Sequence, residues 1–178
     1  GLLSFRQAAS GNPVIDVMVG YDGNTTSANA LLALVRDDAG GAADVNGGPI
    51  DDGAWHFVTV TRSGSTVTLY KDGISKGSAS DSGGAITTDT RNLGREGYWT
   101  VDAHGYTDTD HEYLAATFDE VRASSTARSA DWIITDYNAE SSPATFVSFT
   151  AGSAGEVATD GHTDVSLVSF DAATTCAG

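Results

Sequence analysis

The sequence predicts an all-β protein, a two-sheet antiparallel sandwich with one short helix near residues 129–138. Three observations carry this: apolar and β-branched runs of strand length recur along the chain, Gly and Asp clusters separate them, and one segment alone has helical spacing and a capping residue. The 178 residues fall in the size range of one domain and suffice to bury a core without staples.

Val14–Val19 reads as a strand ended by Gly20 and an Asp22-Gly23-Asn24 turn, and Leu31–Val35 as a second ended by Asp37-Asp38-Ala39-Gly40. From Trp55 to Arg62 the aromatic and β-branched types suit a pleated, half-buried surface. Ser63-Gly64-Ser65 turns the chain into Thr66–Lys71, where Val67 and Leu69 share one face and Thr66, Thr68 and Tyr70 the other. Asp72-Gly73 tolerates the positive φ angles of a tight hairpin and leads into Ile74-Ser75-Lys76 as a third strand. Leu114–Arg122 is expected to add another strand. Ser129 suits a helix N-cap, Asp131 the positive N-terminus, and Ile133 and Tyr137 lie four apart on one face.

Composition removes several function classes. With 24 Asp plus Glu against 9 Lys plus Arg, the formal net charge of -15 repels nucleic acid. Apolar runs stay short of the roughly 18–20 residues that a membrane-spanning helix needs. Cys176 is the single cysteine, so the chain forms no internal disulfide and no cysteine pair can bind metal. The only glutamates are Glu96, Glu112, Glu120, Glu140 and Glu156. Most acids are therefore Asp, a residue of turns and of oxygen-donor calcium sites.

Three ordered motifs resemble the laminin-G-like family of the concanavalin A-like lectin/glucanase superfamily. They are Asp51-Asp52-Gly53-Ala54-Trp55-His56-Phe57-Val58 with Leu69-Tyr70-Lys71-Asp72-Gly73, then Phe118-Asp119-Glu120-Val121-Arg122, then Ala130-Asp131-Trp132-Ile133 with Tyr137-Asn138. The resemblance implies a jelly-roll sandwich over residues 1–140, usual in exported surface or matrix proteins, hence an extracellular or cell-surface location. In family terms the chain starts at the strand aligned with Leu2–Arg6, so the sandwich is expected to lack its usual first strands. A β-rich extension, 141–178, follows. Its run Asp164–Phe170 is expected to complete the sandwich or that of a neighbouring chain by strand exchange.

The motifs read as structural. Trp55 is expected to be a core anchor. His56 is read as a packed histidine. Asp119 and Glu120 are adjacent on the expected strand and point to opposite faces, so they cannot act as one carboxylate pair. Glu120 is expected to pair with Arg122 or Arg36. The Glu-x-Asp-x-x-Glu strand of laminarinase-type relatives, which supplies the carboxylates of glycoside hydrolysis, is absent, as are a Ser/His/Asp motif and a zinc-like histidine spacing. No catalytic residue is assigned. Recognition is instead expected at Tyr98, Trp99, His104 and Tyr106, whose aromatic faces and polar groups suit a glycan, and calcium at the alternating Asp108, Asp110 and Glu112. Asn24-Thr25-Thr26 matches the glycosylation sequon. The functional expectation is a non-catalytic extracellular module binding glycan or a surface protein with the help of calcium. The competing ones are a structural subunit of an extracellular fibre or sheath assembled by strand exchange, and a glycan-degrading enzyme, which the missing carboxylate triplet disfavours.

Overall fold

The computed structural model describes residues 2–7, 13–20, 29–93 and 115–146. Within them eight strands form two antiparallel sheets: β1 (Leu3–Arg6), β2 (Val14–Val19), β3 (Ala30–Arg36), β4 (Ala42–Pro49), β5 (Val58–Ser63), β6 (Thr66–Lys71), β7 (Ile74–Ser80) and β8 (Thr90–Leu93). One sheet has the order β4-β3-β2-β1-β8 and the other β5-β6-β7. β1 is paired on both sides, so among the described residues the outer strands of the five-stranded sheet are β4 and β8. The helices are α1 (Ala130–Ser141) and α2 (Pro143–Phe146). The chain divides into two compact units, Gly1–Asn138 and Ala139–Gly178, and the sandwich belongs to the first.

Alternation along each strand sets what each face buries. Val17, Leu31, Ala33, Val35, Ala43 and Val45 of the larger sheet meet Val67 and Leu69 of the smaller, with Val58 and Val60 packed against them. The expected sharing of one face by Val67 and Leu69 is what places both in this core. β3 is apolar on its other side too, where Leu32 and Leu34 join Val14 and Met18. A strand buried on both faces carries a continuous apolar run instead of an alternating one. Polar groups on that second face are paired: the Arg6 guanidinium and the Ser4 hydroxyl both donate to the buried Asp16 carboxylate.

The β6–β7 hairpin turns through Asp72 (φ 56°) and Gly73 (φ 74°) as its Asp-Gly pair requires. Gly73 is also needed for space, because a Cβ there would lie 2.4 Å from Ile134 Cδ1 of α1. α1 begins as expected: the Ser129 hydroxyl accepts from the Trp132 amide at 3.2 Å, and its carbonyl accepts from the Ile133 amide. Ile133 is fully buried, and the Tyr137 ring meets Phe57 with centroids 6.2 Å apart.

Two expectations fail locally. Residues 115–122 form no strand. Asp119 accepts from the Glu120 amide through its side chain, and Glu120 has φ 51°, so a local bond competes with ladder pairing. The strand expected from Trp55 begins only at Val58. Trp55 itself is 69 % exposed and is no core anchor, because hydrogen bonds on either side of it hold its loop at the rim of the sheet.

Candidate functional site

Two clusters of carboxylates organise the described loops, and they differ in kind. The first is centred on Asp37, which directly follows β3 and is wholly buried. Its Oδ1 accepts from the Ala39 and Gly41 amides, at 3.0 and 2.8 Å, and its Oδ2 accepts from the Ser82 and Gly84 amides and the Ser82 hydroxyl. The Ser82 hydroxyl bond, helped by the three amides of Gly84, Gly41 and Ala39 against the cost of burial, lowers the Asp37 pKa to about 2. Gly41 approaches so closely that a Cβ would stand 2.2 Å from the Ser82 nitrogen. Next to it, Asp38 accepts from the amide and hydroxyl of Thr87, and Asp81 accepts from Arg62 Nε at 2.6 Å. Every acceptor here faces a donor of the protein, so the cluster ties the β3–β4 turn to the segment after β7.

The second cluster lies at the rim of the smaller sheet, where the segment before β5 passes the β6–β7 turn. His56 sits between two carboxylates, with Nδ1 2.9 Å from Asp72 Oδ2 and Nε2 3.0 Å from Asp52 Oδ1. Asp72 is held firmly. Its Oδ1 accepts from the Phe57 amide at 3.0 Å, and its own amide donates to the Phe57 carbonyl at 2.8 Å. Asp52 is 60 % exposed and also accepts from the Ala54 amide. That amide bond, followed by the contact with His56, lowers the Asp52 pKa. Burial opposes the charge on the His56 ring, but the hydrogen bonds to Asp72 and then Asp52 outweigh it and the pKa is raised. Between Ala54 and His56 stands the exposed Trp55. The hydrogen bonds of its neighbours hold the main chain on either side of it, while its indole faces solvent.

A third group is exposed: Arg122 reaches Glu120 at 2.8 Å and Asp136 of α1 at 3.0 Å. The expected Glu120–Arg122 pair is thus present, extended by an acid from the helix. The residues singled out for recognition (Tyr98, Trp99, His104, Tyr106) and for calcium (Asp108, Asp110, Glu112) lie outside the described residues, as do Asn24 and Asp164–Phe170. Among the described residues no group of three His, Cys, Asp or Glu side chains is placed to hold a metal ion, and no helix is long and apolar enough to cross a membrane. The rim cluster is what sequence reasoning missed. Its signal was present in the Asp52…His56 spacing and in the hairpin aspartate Asp72, but the contact between them needs the smaller sheet to be folded.

Two antiparallel sheets packed through a shared apolar core define a β-sandwich of the jelly-roll class. The chain belongs to the laminin-G-like family of the concanavalin A-like lectin/glucanases superfamily, whose model matches residues 3–134. Among solved structures, residues 221–444 of an S-layer domain-containing protein from Clostridium thermocellum are similar, with 21 % identity and a TM-score of 0.39. The match covers 69 % of this chain and 63 % of that one, so this chain spans less than two thirds of that structure. No curated protein matches in sequence.

Proposed function

We propose that this chain is a non-catalytic extracellular recognition module that binds glycan or a surface protein, and that the rim around Trp55 is one of its contact faces. The observation that carries the reading is the 69 % exposure of Trp55 in a loop pinned by Asp52, His56 and Asp72. A protein gains little stability from a solvent-facing indole, whereas large aromatics anchor interfaces and stack on sugar rings. Asp51 and the exposed side of Asp52 supply acceptors for sugar hydroxyls beside it. The acidic surface disfavours anionic ligands, so neutral oligosaccharides are the glycans to try first. Membership of a superfamily named for both lectins and glucanases supports binding of this kind. The lack of the laminarinase-type carboxylate triplet in the sequence supports binding without hydrolysis.

The test is an array of neutral oligosaccharides probed with the unaltered chain and with Trp55→Ala. Binding by the former that is lost in the latter, at unchanged melting midpoint, supports the assignment. Equal binding by both removes Trp55 from the contact face, and no binding by the unaltered chain removes the neutral glycan. Calcium held by Asp108, Asp110 and Glu112 is a further component of the proposal. Millimolar calcium is then expected to raise the melting midpoint above that in chelator, with magnesium doing less. Superimposable melting curves would remove the metal.

A further inference from the structure

His56 is the one place among the described residues where a single ring contacts two carboxylates from different segments of the chain. A neutral imidazole carries one N–H and presents a lone pair at its other nitrogen, and an ionised carboxylate can only accept. Two ionised acceptors, at 2.9 and 3.0 Å from the two ring nitrogens, therefore match the imidazolium and not the neutral ring. We infer that His56 is a proton-operated latch. In its charged form it clamps the 51–55 segment, and Trp55 with it, to the β6–β7 turn, and on losing a proton it releases the Asp52 side.

The geometry fixes which contact yields. Asp72 stays in place without the histidine, because its side chain accepts from the Phe57 amide and its main chain bonds to the Phe57 carbonyl. Phe57 is in turn packed against Tyr137 of α1. The remaining N–H of a neutral ring thus stays on Nδ1, facing Asp72. Nε2 then offers a lone pair to the Asp52 carboxylate, and an attraction becomes a repulsion. Asp52 is the more exposed of the two acids and can turn to water at little cost. The titratable groups facing the ring are Asp52 from the loop and Asp72 from the turn. Lys71, at the end of β6, acts on Asp52 through space while its Nζ donates to the Pro49 carbonyl at 2.6 Å. The raised pKa of His56 has the direction that this double pairing requires. The latch rests on the recognition reading above only for its consequence, which is that the Trp55 face is ordered at mildly acidic pH and loosened at alkaline pH.

The test uses the full chain without ligand, so it reads the latch independently of binding. NMR titration from pH 5 to 9 follows the ring resonances of His56 and the indole N–H of Trp55, the latter assigned with Trp55→Phe because Trp99 and Trp132 are also present. The expected result is a His56 midpoint above the ordinary 6.5 and a Trp55 resonance that moves with the same midpoint. In Asp52→Asn the His56 midpoint is expected to fall and the Trp55 response to vanish. Because Asp52 is exposed, that variant is expected to fold. A Trp55 resonance that stays still while His56 titrates would overturn the latch, as would a His56 midpoint at or below 6.5 or an undiminished Trp55 response in Asp52→Asn. Failure of the oligosaccharide array with this titration intact would remove the glycan and leave the latch.

Discussion

Asp37 and His56 are both ionisable groups held by hydrogen bonds at turns of the same sandwich, yet they do opposite things. Asp37 is wholly enclosed and accepts five hydrogen bonds, four from main-chain amides and one from a hydroxyl. Its donors cannot titrate, so its charge is a fixed part of the architecture. His56 is bracketed by two acids, and an ordinary change of pH reaches its charge. What separates them is the chemistry of the partners: amides make a permanent tie, while carboxylates around an imidazole make a conditional one.

Replacing the carboxylate at the first site is expected to have the largest effect. Asp37→Ala deprives the amides of Ala39, Gly41, Ser82 and Gly84 of their shared acceptor and should lower the melting midpoint more than any change at the rim. A midpoint no lower than that of His56→Gln would erase the distinction between the two sites. Gly41→Ala attacks the same tie by volume, since its methyl meets the Ser82 main chain. The expected cost is roughly 1–3 kcal/mol, as for other overpacked sites. That corresponds to about 2–4 °C of midpoint per kcal/mol in a chain of this length.

The pH dependence of stability should then divide the two sites by sign. The folded-state pKa of Asp37 is depressed from 3.8 to about 2, so its contribution is present above 3.8 and is lost as pH falls towards about 2. The folded-state pKa of His56 is raised, so its contribution is complete below 6.5 and is lost as pH rises through the folded value. Melting curves across pH should therefore show an acid loss that His56→Gln leaves in place and a smaller alkaline loss that the same variant removes. An alkaline limb unchanged by His56→Gln would assign it to other groups. The smallest expected effect is that of Trp55→Ala on stability, within about ±0.5 kcal/mol, as for an exposed side chain outside any packing network. A large fall in midpoint would mean that the indole is packed after all.

Local chemistry was legible where neighbours in sequence decide the structure. The Asp72-Gly73 hairpin, the shared inward face of Val67 and Leu69 and the Ser129 cap follow from conformational preference, period-two alternation and amide capping, each of which acts over a few residues. Family membership was legible for the same reason, because its motifs are strings of such local features. Trp55 was misread because size and apolarity predict burial only when nothing else fixes the backbone, and here the contacts of Asp52, His56 and Asp72 do so. Tertiary structure alone could decide that Asp37 would gather donors from residues 39–41 and from 82–84, or that Asp72 and Asp52 would meet across one imidazole. A strand pattern specifies which side chains turn inward. Only the packing of one segment against another specifies which polar groups they bring together, and so which charges are fixed and which can switch.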